Sequence, residues 1–316
     1  MRDMTYTKLI NETLQIYLKD EYLEAYNYIT ENAPKVEGNE AQIFNFRYAI
    51  ACKAGLTDLS LEIMKEAVVD KGYWYSYEYL MEDDDLEPLY KKDQFIELAN
   101  ICKTRELETL KDSKPDLKVI MTNDSDQEQK RQLIIALHGN QENIFITEKN
   151  WSSCLKDSNM LALPQSSQIE FSDAYNWEDI AKGADELKNH YDKLLKEYNV
   201  DSESIILGGF SAGARVSLNT VLNDLIQVKG LIFVGPWLPE IDEWENLLEL
   251  LRIKGIKSYV ICGDQDEDCL EGAMKFIDML NNKGLPNKFK LIKNLDHDYP
   301  DNFNDLLEEA FKFINM

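Results

Sequence analysis

Two hydrophobic rhythms divide this chain. From residue 5 to about 112, apolar side chains recur every three or four positions: Ile10, Leu14, Tyr17 and Leu18, then Tyr22, Ala25, Tyr26 and Ile29, with a break at Asn32-Ala33-Pro34. That spacing collects apolar groups on one face of a helix. A second helical pair is expected at 41–55 and 58–69, joined by Gly55-Leu56-Thr57. Beyond residue 116 the rhythm changes to short, unbroken apolar runs separated by amphipathic stretches. Strands are expected at 116–122, 132–138, 160–164, 204–209, 229–234, 256–262 and 288–293, and helices at 177–197, 212–225, 242–253, 268–283 and 301–314. Continuous apolar runs suit strands covered on both faces, and their alternation with helices predicts a doubly wound, mostly parallel sheet. NDSDQEQK at 123–130 reads as a hairpin turn after the first strand. The domains expected are an all-helical region, 1–112, and an α/β region, 113–316.

Right-handed crossovers leave the loops that follow parallel strands on one edge of the sheet. Four of those loops carry chemistry. The run Ile205-Ile206-Leu207 leads into Gly209, Ser211 and Gly213, a G-x-S-x-G pattern that opens a helix. Strand, motif and helix together make a sharp turn that lifts a serine hydroxyl off the sheet edge, with the N–H of Ala212 facing any developing oxyanion. The alternative is a serine that only caps a helix. After Tyr259–Cys262 come Gly263 and the carboxylates Asp264, Asp266, Glu267 and Asp268. Asp264 reads as a turn former and Asp266 as the acid, with Glu267 and Asp268 as alternatives. His297 follows the run at 289–294. Of the other histidines, His190 lies in a charged helix and reads as a solvated imidazole, and His138 reads as a loop former. The order Ser211, Asp266, His297 matches one of the known chain orders of a Ser-His-Asp triad. After the strand Leu133–Leu137, Gly139 allows close backbone approach, and the N–H of Asn140 or Gln141 is the expected second oxyanion donor.

ALHGN at 136–140, LPQSSQ at 163–168, GGFSAGA at 208–214, CGDQDE at 262–267 and DHDYP at 296–300 together resemble the phospholipase/carboxylesterase group of α/β-hydrolases, over roughly residues 117 to 316. The resemblance implies Ser211 as nucleophile, Asp266 as acid and His297 as base. It also implies an oxyanion hole at Ala212, Gly139 and Asn140, and hydrolysis of a small carboxylic ester through an acyl-enzyme without a cofactor or metal. A peptidase or thioesterase would use the same residues, and an inert scaffold is the reading from another class. Trp151, Trp177 and Trp237 are candidate walls of a substrate site, each equally suited to a core, as is Phe171. The helix pairs near the start resemble tetratricopeptide repeats loosely, lacking their tryptophan and most of their glycines. Two such units are too few to stand alone, so packing on the α/β region, self-association or a protein partner is expected.

Composition narrows the picture at three points. With 34 basic and 58 acidic residues the formal charge is −24, shared between 24 acidic and 14 basic residues up to position 116 and 34 and 20 beyond it. Nucleic acid is therefore not an expected partner. No apolar run is long enough to span a bilayer and the start carries no secretory pattern, so a cytoplasmic location is expected. The five cysteines form no C-x-x-C pair and read as reduced core thiols. The aromatic stretch 73–95 is expected either to seal the last helix pair against the α/β region or to form a lid or peptide surface.

Overall fold

The computed structural model describes residues 4–122, 130–156 and 159–316. Most of the turn expected at 123–130 lies outside the described residues. By its contacts the chain forms two compact units, one of residues 1–114 with 169–175 and one of 115–168 with 176–316.

The first unit is built on helices α1 (Tyr6–Tyr17), α2 (Tyr22–Asn32), α3 (Glu40–Lys53), α4 (Thr57–Lys65), α5 (Tyr77–Glu82) and α6 (Asp93–Asp112). Side-chain caps fix several starts: Thr5 accepts the N–H of Lys8 at 3.1 Å, and Asn39 accepts that of Gln42 at 3.1 Å. The aromatic stretch is internal. Trp74, Tyr75, Leu80, Leu86, Leu89 and Phe95 are buried in this unit's own core. Residues 169–175, outside the expected strands and helices, contribute a small ribbon. Phe171 joins the helical core, the Ser172 hydroxyl accepts the N–H of Trp74 at 2.8 Å, and Asn39 Nδ2 donates to the Ser172 carbonyl at 3.1 Å.

The second unit carries β1 (Asp116–Met121), β2 (Leu133–Leu137), α7 (Ile144–Trp151) and β3 (Met160–Gln165). In sequence come next the ribbon strands β4 (Gln168–Phe171) and β5 (Ala174–Asn176), most of whose residues belong to the first unit; the second unit resumes with α8 (Ile180–Glu197), β6 (Ile206–Phe210), α9 (Ala212–Leu222) and β7 (Gly230–Val234). The rest is α10 (Ile241–Trp244), α11 (Glu249–Lys254), β8 (Lys257–Gly263), α12 (Leu270–Asn282), β9 (Asn287–Ile292) and α13 (Phe303–Asn315). Seven strands form one sheet in the order β1-β3-β2-β6-β7-β8-β9. All pairs are parallel except β1 with β3, so β1 is an antiparallel edge paired with β3 rather than with β2.

Alternation explains the unbroken apolar runs. Leu133, Ile135 and Leu137 of β2 enter the core on one face, while Ile134 and Ala136 enter the core on the other. Leu231 and Phe233 of β7 oppose Ile232 and Val234 in the same way. Both faces must be apolar, so a strand of five residues shows no polar gap.

The helix expected at 242–253 is broken into α10 and α11. Where α11 begins, the N–H of Leu250 and Leu251 donate to the carbonyls of Leu247 and Leu248, both at 3.0 Å. The chain thus tightens to a three-residue spacing that turns Leu248 and Leu251 into the core together. Helix α7, outside the expected helices, is capped by Asn143 and buries Ile146, Thr147 and Trp151. Among the described residues, no helix is long and apolar enough to cross a membrane.

Candidate functional site

Ser211 sits between β6 and α9 with φ 50° and ψ −120°, a left-handed backbone unusual for a residue with a Cβ. The glycines two positions away make the turn feasible. A Cβ on Gly209 would lie 2.6 Å from the Ala214 nitrogen, and one on Gly213 would lie 2.4 Å from the His138 carbonyl oxygen. Ser211 makes no side-chain cap to α9, which removes the reading of a serine that only starts a helix. Its N–H donates to Val234 at 3.0 Å, and its carbonyl accepts the N–H of Trp237 at 3.3 Å.

His297 and Asp266 meet on the same edge. His297 Nδ1 lies 2.8 Å from Asp266 Oδ2, with Asp266 1% and the imidazole 30% exposed, so one side of the ring remains accessible. Asp266 Oδ1 also accepts the N–H of Cys269 at 3.1 Å. Burial pulls the imidazole pKa down, but the hydrogen bond and charge of Asp266, aided by Glu142 and Asp296, outweigh it and leave His297 raised above 6.5. Of the carboxylates at 264–268 only Asp266 is buried; Glu267 and Asp268 are exposed, and Asp264 accepts the N–H of Asn294 at 2.7 Å.

Gly235 joins these groups to the serine. It follows Val234, the acceptor of the Ser211 N–H, and has φ 47°. A Cβ there would lie 3.1 Å from both Asp266 Oδ2 and His297 Nδ1. The imidazole also packs on Phe210, the residue before the serine, with ring centroids 4.7 Å apart.

Asp266, Cys269 and His297 offer ligand atoms within 4.8 Å of one another. Tetrahedral zinc holds nitrogen and oxygen ligands about 3.3 Å apart. The 2.8 Å between Nδ1 and Oδ2 is instead a hydrogen bond, and the Cys269 sulfur, 3.5 Å from Nδ1, lies beside it.

The loop after β2 is tied down on every side. His138 is fully buried, its Nε2 accepts the N–H of Ser166 at 3.2 Å, and Nδ1 therefore carries the proton given to the Gly139 carbonyl at 2.7 Å. Burial pushes its pKa down to about 4, so it is neutral. The N–H of Gly139 donates to Glu142 Oε2 at 2.8 Å, and the N–H of Gln141 to Asn176 Oδ1 at 3.0 Å. Neither is available to a ligand, which corrects the expectation for Gly139 and closes the alternative at Gln141. The N–H groups of Asn140 and Ala212 have no acceptor among the described residues.

The chain matches the phospholipase/carboxylesterase family over residues 167–315, and a family described as the A/B hydrolase-like N-terminal domain over residues 5–110. Residues 167–315 belong to the phospholipase/carboxylesterase family of α/β-hydrolases. An uncharacterized protein from Bacillus cereus ATCC 10987, of known crystal structure, is 50% identical, with 99% of this chain and 100% of that chain covered and a TM-score of 0.58. Esterase PE8 is 18% identical over 63% of this hydrolase and 98% of its own chain, with a TM-score of 0.50, a likeness of fold alone. No curated protein matches the sequence.

Two of the three tryptophans expected to wall the hydrolase site do not line it. Trp151 and Trp177 are 0% and 1% exposed. Their indole N–H groups are occupied by the Tyr299 hydroxyl at 3.1 Å and the His138 carbonyl at 2.8 Å. Both are core residues that brace the site from behind. Trp237 is half-buried, and its ring lies 4.8 Å from the guanidinium of Arg215, which Glu240 grips through Nε and Nη2. His190, expected in solvent, is half-buried with Nε2 lacking a partner. Sequence reasoning missed Glu142, a carboxylate three residues past Gly139 that folds back on that residue's N–H. Among 58 acidic residues nothing but this short spacing marks it.

Proposed function

We propose that this protein is a serine hydrolase of carboxylic esters, with Ser211 as nucleophile, His297 as general base and Asp266 as the acid that orients it. The observation that carries the reading is the 2.8 Å bond between His297 Nδ1 and the buried carboxylate of Asp266, on the sheet edge where the strained Ser211 turn also lies. With Nδ1–H held by the carboxylate, Nε2 is the lone-pair nitrogen and takes the serine proton. Ser211 Oγ attacks the ester carbonyl, and the resulting oxyanion is held by the N–H of Ala212 and of Asn140. The imidazolium passes its proton to the departing alcohol, then the same nitrogen activates water to release the acid. The substrate is a small molecule, with the half-buried Trp237 as an apolar wall, and none of these steps calls on a cofactor.

Hydrolysis of short p-nitrophenyl esters, beside acyl thioesters and aminoacyl amides of matched acyl group, tests this reading. Ester turnover above the other two, lost in Ser211→Ala, is the expected result. Thioester preference would reassign the substrate class, and no Ser211-dependent turnover on any of them would overturn the reading.

A further inference from the structure

We propose that Glu142 is a positioning residue of this site, bracing the oxyanion loop through the Gly139 N–H and placing a second carboxylate within electrostatic reach of His297. The inference rests on the roles proposed above for Ser211, His297 and Asn140.

The geometry gives Glu142 little other purpose. It is 6% exposed, and its Oε2 holds the Gly139 N–H at 2.8 Å while lying 3.2 Å from where a Gly139 Cβ would stand. The same Cβ position is 2.8 Å from the edge of Phe210, the ring that carries His297 on its face. Glu142 on the Gly139 N–H fixes the His138–Gly139 peptide plane, and His138 Nδ1 on the Gly139 carbonyl at 2.7 Å fixes the next plane, which carries the Asn140 N–H, so Glu142 secures the base from which that donor is aimed. An oxyanion donor misaligned by a fraction of an ångström loses most of its value, because it must meet charge that exists only in the transition state.

The groups that act on Glu142 are His297, Asp298 and Tyr299 in the loop after β9, together with the Gly139 N–H. Burial pushes the Glu142 carboxyl up to about 7, against the pull of the Gly139 N–H and of His297 and with the push of Asp298. Near neutral pH it therefore passes from a neutral acceptor to an anion beside the base. As an anion it favours the imidazolium that forms when Ser211 gives up its proton.

Two substitutions in the full chain separate the brace from the charge. Glu142→Gln keeps an acceptor for the Gly139 N–H and loses the ionisation, whereas Glu142→Ala loses both. On a p-nitrophenyl ester, E142Q is expected to match wild-type kcat/KM below about pH 6, where both side chains are neutral, and to fall about tenfold behind above pH 8. E142A is expected to lose about 10²-fold in kcat at every pH, with KM nearly unchanged. Thermal melting checks that each variant is folded, and Glu142→Leu, which fills the same space without an acceptor, takes the place of E142A and its threshold if E142A is not. An active wild type whose E142Q variant follows it across the whole pH range overturns the electrostatic role, and a folded E142A within threefold of wild type overturns the brace. A wild type without Ser211-dependent turnover would instead remove the hydrolase reading itself, and this inference with it.

Discussion

His138 and His297 both follow strands on the same edge of the sheet, and both point Nδ1 at an oxygen, at 2.7 and 2.8 Å respectively. Their electrostatic fates are opposite. The oxygen before His138 is a peptide carbonyl, which cannot offset the cost of burying a charge, so the ring is held neutral at about 4. The oxygen before His297 is a carboxylate, which does offset it, so that ring is raised instead. The other nitrogen completes the contrast. Nε2 of His138 is occupied by the Ser166 N–H, while the imidazole of His297 keeps an exposed side. The charge on the Nδ1 partner, rather than the length of the bond, separates a structural histidine from one able to hold a proton mid-reaction.

The sharpest way to break this comparison is to remove each ring. His297→Ala is expected to lower kcat/KM for an ester by about 10⁴-fold or more while leaving the melting temperature nearly unchanged. A folded His297→Ala enzyme with wild-type turnover would end the assignment of His297 as base. Asp266→Asn probes the same pair from the other side: it keeps the shape but gives Nδ1 the wrong partner, at an expected cost of about 10³–10⁴-fold in kcat. Full activity in Asp266→Asn, with loss in Asp268→Asn, would move the acid to an exposed neighbour.

His138→Ala should invert the pattern. It strands the buried N–H of Ser166 and removes a ring stacked 4.7 Å from Trp177, so a stability loss of about 1–3 kcal/mol is expected in urea unfolding. Its effect on kcat should stay far below that of His297→Ala. A His138 variant as inactive as the His297 variant, yet equally stable, would erase the distinction.

The pH dependence sharpens it further. A base must be neutral to accept the serine proton, so kcat/KM should rise with pH through a midpoint above 6.5, the direction in which Asp266 and its neighbours move His297. Glu142 adds a stability signature of known sign. Its folded pKa is raised from 4.5 to about 7, so its contribution to stability is complete below pH 4.5 and lost as pH rises through about 7. Glu142→Gln should therefore be more stable than wild type by up to about 3 kcal/mol at pH 8, shrinking below about 1 kcal/mol at pH 5. An equal difference at both values would contradict the shift.

Much of this contrast was legible in the chain itself. Strand, motif and helix around Ser211 follow from local spacing, because the apolar run, the two flanking glycines and the helical face are all neighbours in sequence. The parallel sheet follows from the same logic. What escaped depends on contacts between distant residues. Nothing local says that His138 and Ser166, 28 positions apart, would share a hydrogen bond, or that Trp177 would spend its indole N–H on the His138 carbonyl and so be core. Nor does local sequence show that the N–H of Gly139, a residue implied in the oxyanion hole, is occupied by Glu142. Helix α7 was hidden because its eight residues bury only three side chains, too few to set a period. The aromatic density of 73–95 suggests a seal or a lid, but local sequence does not say which partners its rings take, and they fill the helical unit's own core.

The most direct test of the account is the rate of covalent labelling by a fluorophosphonate probe, with the modified residue located by mass spectrometry. Labelling confined to Ser211, and slowed by at least about 10²-fold in folded His297→Ala, is the predicted result. Labelling of a different residue, or equal rates with and without the His297 imidazole, would contradict it.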